Sequence, residues 1–290
     1  MTAKTILFLA LCTPQLATAF DIRSPFSFLW SASRRDDGDG YYDPNDHGGS
    51  MLTEVDGTYP EGLGEPLNMI VSGSSDAEVL VDQETDGGFR NYWLSIGFGA
   101  ECLGQRDALQ QRANLGDGKG SVNQSSVLRW DYGDPQLGTC TETIQGGNHF
   151  RYWVQNGDDQ NSGAYFMACS YEMPLEKHHD IVPNGYNIGR DEIVGNITRS
   201  AVPTLNLTDS ATVPYSTDIK YVSGLLSNTS DGVNHYSTVE ENGRPAIDGL
   251  VAVMTVRIVE RPASDAASLT IPWTLPTISA IVVSLLAICL

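Results

Sequence analysis

The chain has 290 residues, 41% hydrophobic and 18% charged, which is enough apolar material for one packed core with processing segments attached. Its 36 acidic against 17 basic side chains give a formal charge of -19. A surface of that sign repels phosphate backbones and excludes nucleic acid as a partner class.

Residues 1–19 carry Lys4, an apolar run over 6–12 and Ala17-Thr18-Ala19 ahead of Phe20. This is the charged, apolar and small-x-small pattern of a secretory signal peptide. Residues 20–66 hold an apolar patch at Pro25-Phe26-Ser27-Phe28-Leu29-Trp30 and then become rich in Asp, Gly and Pro. With no sustained period, this stretch reads as an acidic flexible arm. A globular domain is expected over 67–261. It opens with a short apolar strand at 67–71 and a turn with capping chemistry at 72–76. The spacing of Phe89, Tyr92, Trp93 and Ile96 predicts a helix over 88–96 that ends at Gly97. Residues 101–126 are rich in Gln, Gly and Asn and read as a long connection, followed by a strand at 127–130 and its turn at 131–135.

The clearest pattern lies between 146 and 196. Phe150, Tyr152 and Val154 alternate with His149, Arg151 and Trp153, and Tyr165, Met167, Cys169, Tyr171 and Met173 share one face of 163–173. Both are period-two strands, and the polar link with Asn156-Gly157 makes them a hairpin that needs further cover. Ile193, Val194 and Ile197 then give an apolar stripe over 186–198. Residues 202–214 read as a surface loop, 219–226 and 235–239 as strands, and Asn242-Gly243 as a turn. The nearly continuous apolar run of 250–259 marks a strand covered on both faces. The fold class is therefore α/β in the broad sense (α+β): a single mixed, largely antiparallel sheet with a few packing helices.

No Lys or Arg follows Arg261, and 275–290 is apolar, so the end reads as a GPI-attachment signal with Ser264 as the attachment residue. A simple transmembrane anchor is the alternative. Removal of both ends leaves Cys102, Cys140 and Cys169. Cys102 and Cys140 sit in loop-like settings and are expected to pair, with Cys169 a buried thiol inside a strand. Sequons stand at Asn123, Asn196, Asn206 and Asn228, three of them crowded onto one side.

The Gly-Asn-His-Phe-Arg-Tyr-Trp strand, His178-His179-Asp180 leading into Gly-Arg-Asp-Glu-Ile-Val, and a final Asn-Gly-Arg before an apolar strand resemble the LssY carboxy-terminal domain. The chain as a whole looks like fungal-type secreted, GPI-anchored proteins of unassigned function. The resemblance implies an α/β fold and a polar cluster of His149, Arg151, His179 and Arg190. It carries no catalysis, because no phosphatase signature is visible.

A metal set of His149, His179 and Asp180 has the right ligand types. Adjacent histidines on a strand point to opposite faces, so a centre needs one of His178 and His179 together with His149 and a carboxylate such as Glu172 or Asp191. The plainer reading has these histidines capping turns or pairing with surface acids, and no cofactor is expected. Gly-x-Ser-x-Gly, His-Glu-x-x-His and phosphate-loop patterns are absent from the sequence. Two functions follow as expectations. One is a non-catalytic surface or cell-wall protein that is held to the outer leaflet of the plasma membrane and binds a glycan or surface protein, with Tyr41, Tyr42 and Trp153 as exposed aromatics. The other is a surface hydrolase acting on a phosphoester-like anion through its His/Arg cluster.

Overall fold

The computed structural model describes residues 38–102, 110–134, 137–199 and 213–259. The expected signal peptide, the sequon at Asn206, the attachment residue Ser264 and the apolar tail lie outside them. No helix among the described residues is long and apolar enough to cross a membrane.

In chain order the elements are β1 (Met69–Val71), α1 (Phe89–Ser95), β2 (Phe98–Ala100), β3 (Arg112–Asn114), β4 (Ser121–Asn123), β5 (Ser126–Trp130), α2 (Gly138–Gln145), β6 (Gly147–Asn156), β7 (Asn161–Glu172), α3 (Gly185–Arg199), β8 (Tyr215–Thr229), α4 (Tyr236–Val239) and β9 (Ile247–Ile258). Seven strands form one sheet in the order β2-β5-β6-β7-β1-β9-β8, and β3 pairs with β4 apart from it. Every neighbour in the large sheet is antiparallel except β1 beside β9. The fold is α+β, as the hydrophobic pattern implies.

The β6/β7 hairpin sets the register, with His149 opposite Ser170, Phe150 opposite Cys169 and Tyr152 opposite Met167. Because successive side chains alternate across a strand, this register sorts the residues into two cores. One face buries Phe150, Tyr152, Tyr165, Met167 and Cys169 beneath Phe89, Tyr92 and Trp93 of α1 and Ile193 and Ile197 of α3. Phe89 stacks on Tyr165 at 3.8 Å between ring centroids. The other face buries Trp153, Phe166 and Ala168 with Tyr41, Met51, Tyr186 and Val233. β9 contributes Ala252, Met254 and Val256 to the first core and Val251 and Val253 to the second. It is the doubly covered strand that its composition predicts.

Four expectations need correction. The described part of the expected flexible arm, residues 38–66, is folded: Tyr41 and Met51 are 1% and 2% exposed, and Leu52 and Glu54 bridge to Pro66 and Arg112. Widely spaced apolar residues do this without any period to announce them. Residues 235–239 are not a strand, because the left-handed backbone of His235 (φ 55°) breaks extension and α4 follows. The connection over 101–126 contains β3 and β4. Cys140 lies in α2 rather than in a loop. Its expected disulfide with Cys102 is present, with 4.7 Å between Cα atoms, and Cys169 is a buried free thiol whose pKa burial pushes up.

Candidate functional site: a buried Arg/Glu/His network

Strand pairing puts Arg129 of β5 beside His149 of β6, and His149 beside Ser170 of β7. Two residues further on, Glu172 returns to the face of Ser170, so Arg129, His149 and Glu172 converge. α2 brings Glu142 over them. That helix starts against the chain before it, since a Cβ on Gly138 would lie 1.3 Å from the Asp131 carbonyl oxygen. Consecutive left-handed residues, His178 (φ 60°) and His179 (φ 55°), reverse the chain after the turn Leu175–Lys177. The reversal returns the His179 ring to Glu172.

Arg129 Nη1 donates to Glu142 Oε2 at 2.8 Å and Glu172 Oε2 at 3.1 Å, while its Nε reaches Glu101 Oε1 at 3.2 Å. His149 Nε2 lies 3.5 Å from Glu172 Oε1 and from Ser170 Oγ. His179 Nδ1 is 3.3 Å from Glu172 Oε2, close but outside hydrogen-bond alignment. Glu142 Oε1 and His149 Nδ1 are buried without a hydrogen-bond partner.

The protonation states follow from this crowding. Burial pushes the Glu142 carboxyl up to about 7 against the pull of Arg129. Burial pushes His149 down to about 3, which Glu172 only partly opposes, so its ring is neutral at pH 7. Burial also raises Glu172, but His149, His179 and Arg129 outweigh it and hold the carboxyl down at about 2. His179 is raised through its approach to Glu172.

Glu142, His149 and Glu172 each offer one ligand atom, all within 4.8 Å of one another, so the donor set suits a metal ion. The Arg129 guanidinium already bridges the two carboxylates, and a metal would have to compete with that charge-assisted pair.

Of the residues singled out in the sequence, His149 and His179 come together on Glu172, one of the two carboxylates expected beside them, while the other, Asp191, lies on Arg190. Asp180 turns away and pairs with His235 Nδ1 at 2.7 Å, so Glu172 takes the place it was expected to hold. Arg151 donates to Gln124 Oε1 at 2.8 Å instead of joining the cluster. Arg190 is clamped elsewhere: it meets both Asp248 oxygens and Asp191 Oδ1, each at 2.8 Å, beneath the Tyr221 ring. Tyr41 and Trp153 are buried, not exposed. Sequence reading missed Arg129, Glu142 and Glu101. A lone arginine in the apolar run of 127–130 was the one available signal, because Glu142 sits in a Thr-rich segment without a pattern.

Two cavities lie beside this end of the sheet. One, of about 270 Å³, is lined by Trp130, Tyr132, Asn148, Tyr171, Glu192 and Asn196. The other, of about 280 Å³, is lined by amides and charged groups that include Asn187, Asn228 and Asp248. Comparison of the chain with protein-family models, curated proteins and solved structures gives no match.

Proposed function

We propose that the chain is a secreted, N-glycosylated, GPI-anchored cell-surface or cell-wall protein with a non-catalytic binding or structural role, built on an LssY-like domain. The non-catalytic part rests on one observation: the charged cluster is buried away from solvent. Arg129 pairs with three glutamates through Nε and Nη1, and Glu142 and His149 are 0% and 2% exposed. A network so shielded from solvent serves the fold, and a site for substrate needs groups that a substrate can reach. The disulfide supports an oxidising compartment. The termini and sequons support export and anchoring.

One observation favours the second reading. A carboxyl held near pKa 7 beside Arg129 and His179 has the properties of a general acid for a phosphoester-like substrate. Both readings meet in one experiment. The full chain is expressed in a eukaryotic host, its surface exposure and glycan mass are measured, and phospholipase release and phosphoester turnover are followed between about pH 5 and 8. The expected result is glycosylated surface material that the phospholipase releases and no turnover dependent on Glu142. Turnover abolished by Glu142→Gln in a folded protein would establish the hydrolase instead, and unglycosylated intracellular protein would overturn export.

A further inference from the structure

We propose that the cleft between α3 and the β5–β7 end of the sheet seats the first N-acetylglucosamine of a glycan carried on Asn196, one wall of the same cleft. The proposal deepens the secretory reading above and rests on it.

The cleft has the composition of a sugar site. Asn148 pairs with Tyr171 across β6 and β7, and alternation sets Trp130 on that same face, opposite to Arg129 and His149. Tyr132 completes the aromatic wall, its ring fixed by a 2.7 Å hydrogen bond from its hydroxyl to the Gly146 carbonyl. From α3, Glu192 and Asn196 stand four residues apart and so share one helix face. A pyranose ring carries an apolar C–H face suited to aromatic rings and a rim of hydroxyl and amide donors.

Asn148 supplies the independent sign of a ligand. Only 4% exposed, it donates through Nδ2 to the Gly189 carbonyl at 2.8 Å, and its Oδ1 has no partner. A buried acceptor left without a donor costs about 1–3 kcal/mol, and a turn of the Asn148 amide towards the cleft lets the hydroxyl or acetamido N–H of a sugar there satisfy it. At about 270 Å³ the cleft lies just below the roughly 300–1,000 Å³ of small-molecule sites, which is room for one ring rather than an oligosaccharide. The carboxylate of Glu192 disfavours an acidic sugar and tolerates a neutral one.

Attachment is the ordinary transfer. The bond between Asn196 Nδ2 and sugar C1 forms as the C1–O bond to a lipid diphosphate donor breaks; the diphosphate leaves and Nδ2 loses one proton. Asn228 provides an internal comparison, because the cavity that it lines has no aromatic wall.

The test uses the full chain from a glycosylating eukaryotic host. Occupancy is mapped at each sequon, and thermal unfolding is compared for the protein as made, the protein trimmed to single N-acetylglucosamine stubs, Asn196→Gln, Thr198→Ala and Asn228→Gln. Thr198→Ala removes the sequon while retaining Asn196, which separates glycan loss from damage to the asparagine. The expectation is an occupied Asn196, a Tm unchanged by trimming, and a fall of roughly 2–6 °C in both Asn196→Gln and Thr198→Ala. Asn228→Gln should leave Tm near its original value, and in a Tyr132→Ala/Tyr171→Ala background the effect of Thr198→Ala should vanish. An empty Asn196 among occupied sequons, or an occupied one whose loss moves Tm no more than Asn228→Gln, overturns the proposal alone. Absence of glycan at every sequon overturns the secretory reading with it.

Discussion

Glu142 and His149 sit in one network and are shifted towards their uncharged forms by the same burial, with opposite consequences for pH. His149 titrates near 3 when folded against 6.5 ordinarily, so over that interval the unfolded chain binds a proton that the folded chain does not. Its contribution to stability is complete above 6.5 and is lost as pH falls towards 3. Glu142 runs the other way: raised from 4.5 to about 7, it keeps a proton in the fold that the unfolded carboxyl has released, so stability declines as pH rises through that window. Glu172, held at about 2 against 4.5, adds to the acid side. The opposing slopes predict a urea midpoint that varies little between about pH 4.5 and 6.5 and drops steeply below. In His149→Gln the Glu142 slope remains, joined at its upper end by the raised His179, so the midpoint should rise as pH falls from about 7 to 4.5. A variant that kept the wild-type profile would show that the ring is not the titrating group.

α3 is the element on which both cavities and the Arg190 clamp depend, and glycine seats it. A Cβ on Gly189 would lie 2.7, 2.8 and 3.0 Å from the backbone C, Cα and N of Ser170. In an exposed helix Gly→Ala gains up to about 1 kcal/mol, but here the helix must lift off β7. Gly189→Ala should therefore destabilise by about 1–3 kcal/mol in urea titration, and stabilisation would mean that the helix shifts freely. How much of this was legible depends on what holds each element. The β6/β7 hairpin and α3 bury regular apolar faces, so alternation and the Ile193, Ile197 stripe located them. α2 has no such face: Thr139, Thr141 and Thr143 are β-branched, and its one large apolar residue, Ile144, is 61% exposed. A disulfide at Cys140 and an ion pair at Glu142 hold it, neither of which leaves a period in the sequence. His149 and His179 were readable as ligand types and Glu172 as a carboxylate for them, but Arg129 and Glu142, which complete the network, come from strand register and from that illegible helix.

At the scale of the whole molecule, the disulfide closes the chain across 38 residues, from the end of β2 to α2. Loop-closure entropy sets its value at about 4 kcal/mol or less. Replacing both cysteines by alanine should lower unfolding free energy by about 2–4 kcal/mol, and because α2 carries Glu142 the loss should be accompanied by a changed pH profile. An unaltered profile would mean that α2 stays in place without its tether. The large sheet ends in edges of unequal size, three-residue β2 and fifteen-residue β8, with β9 running between β8 and β1. The last described residues follow directly from β9, so on the anchored reading tension between membrane and surroundings enters the domain along that strand. The hydrogen bonds of a ladder lie across the strand direction, and a pull along β9 loads those to β8 and β1 together instead of parting them one after another. On that reading β9, buried on both faces, is also a mechanical coupling that carries load in shear.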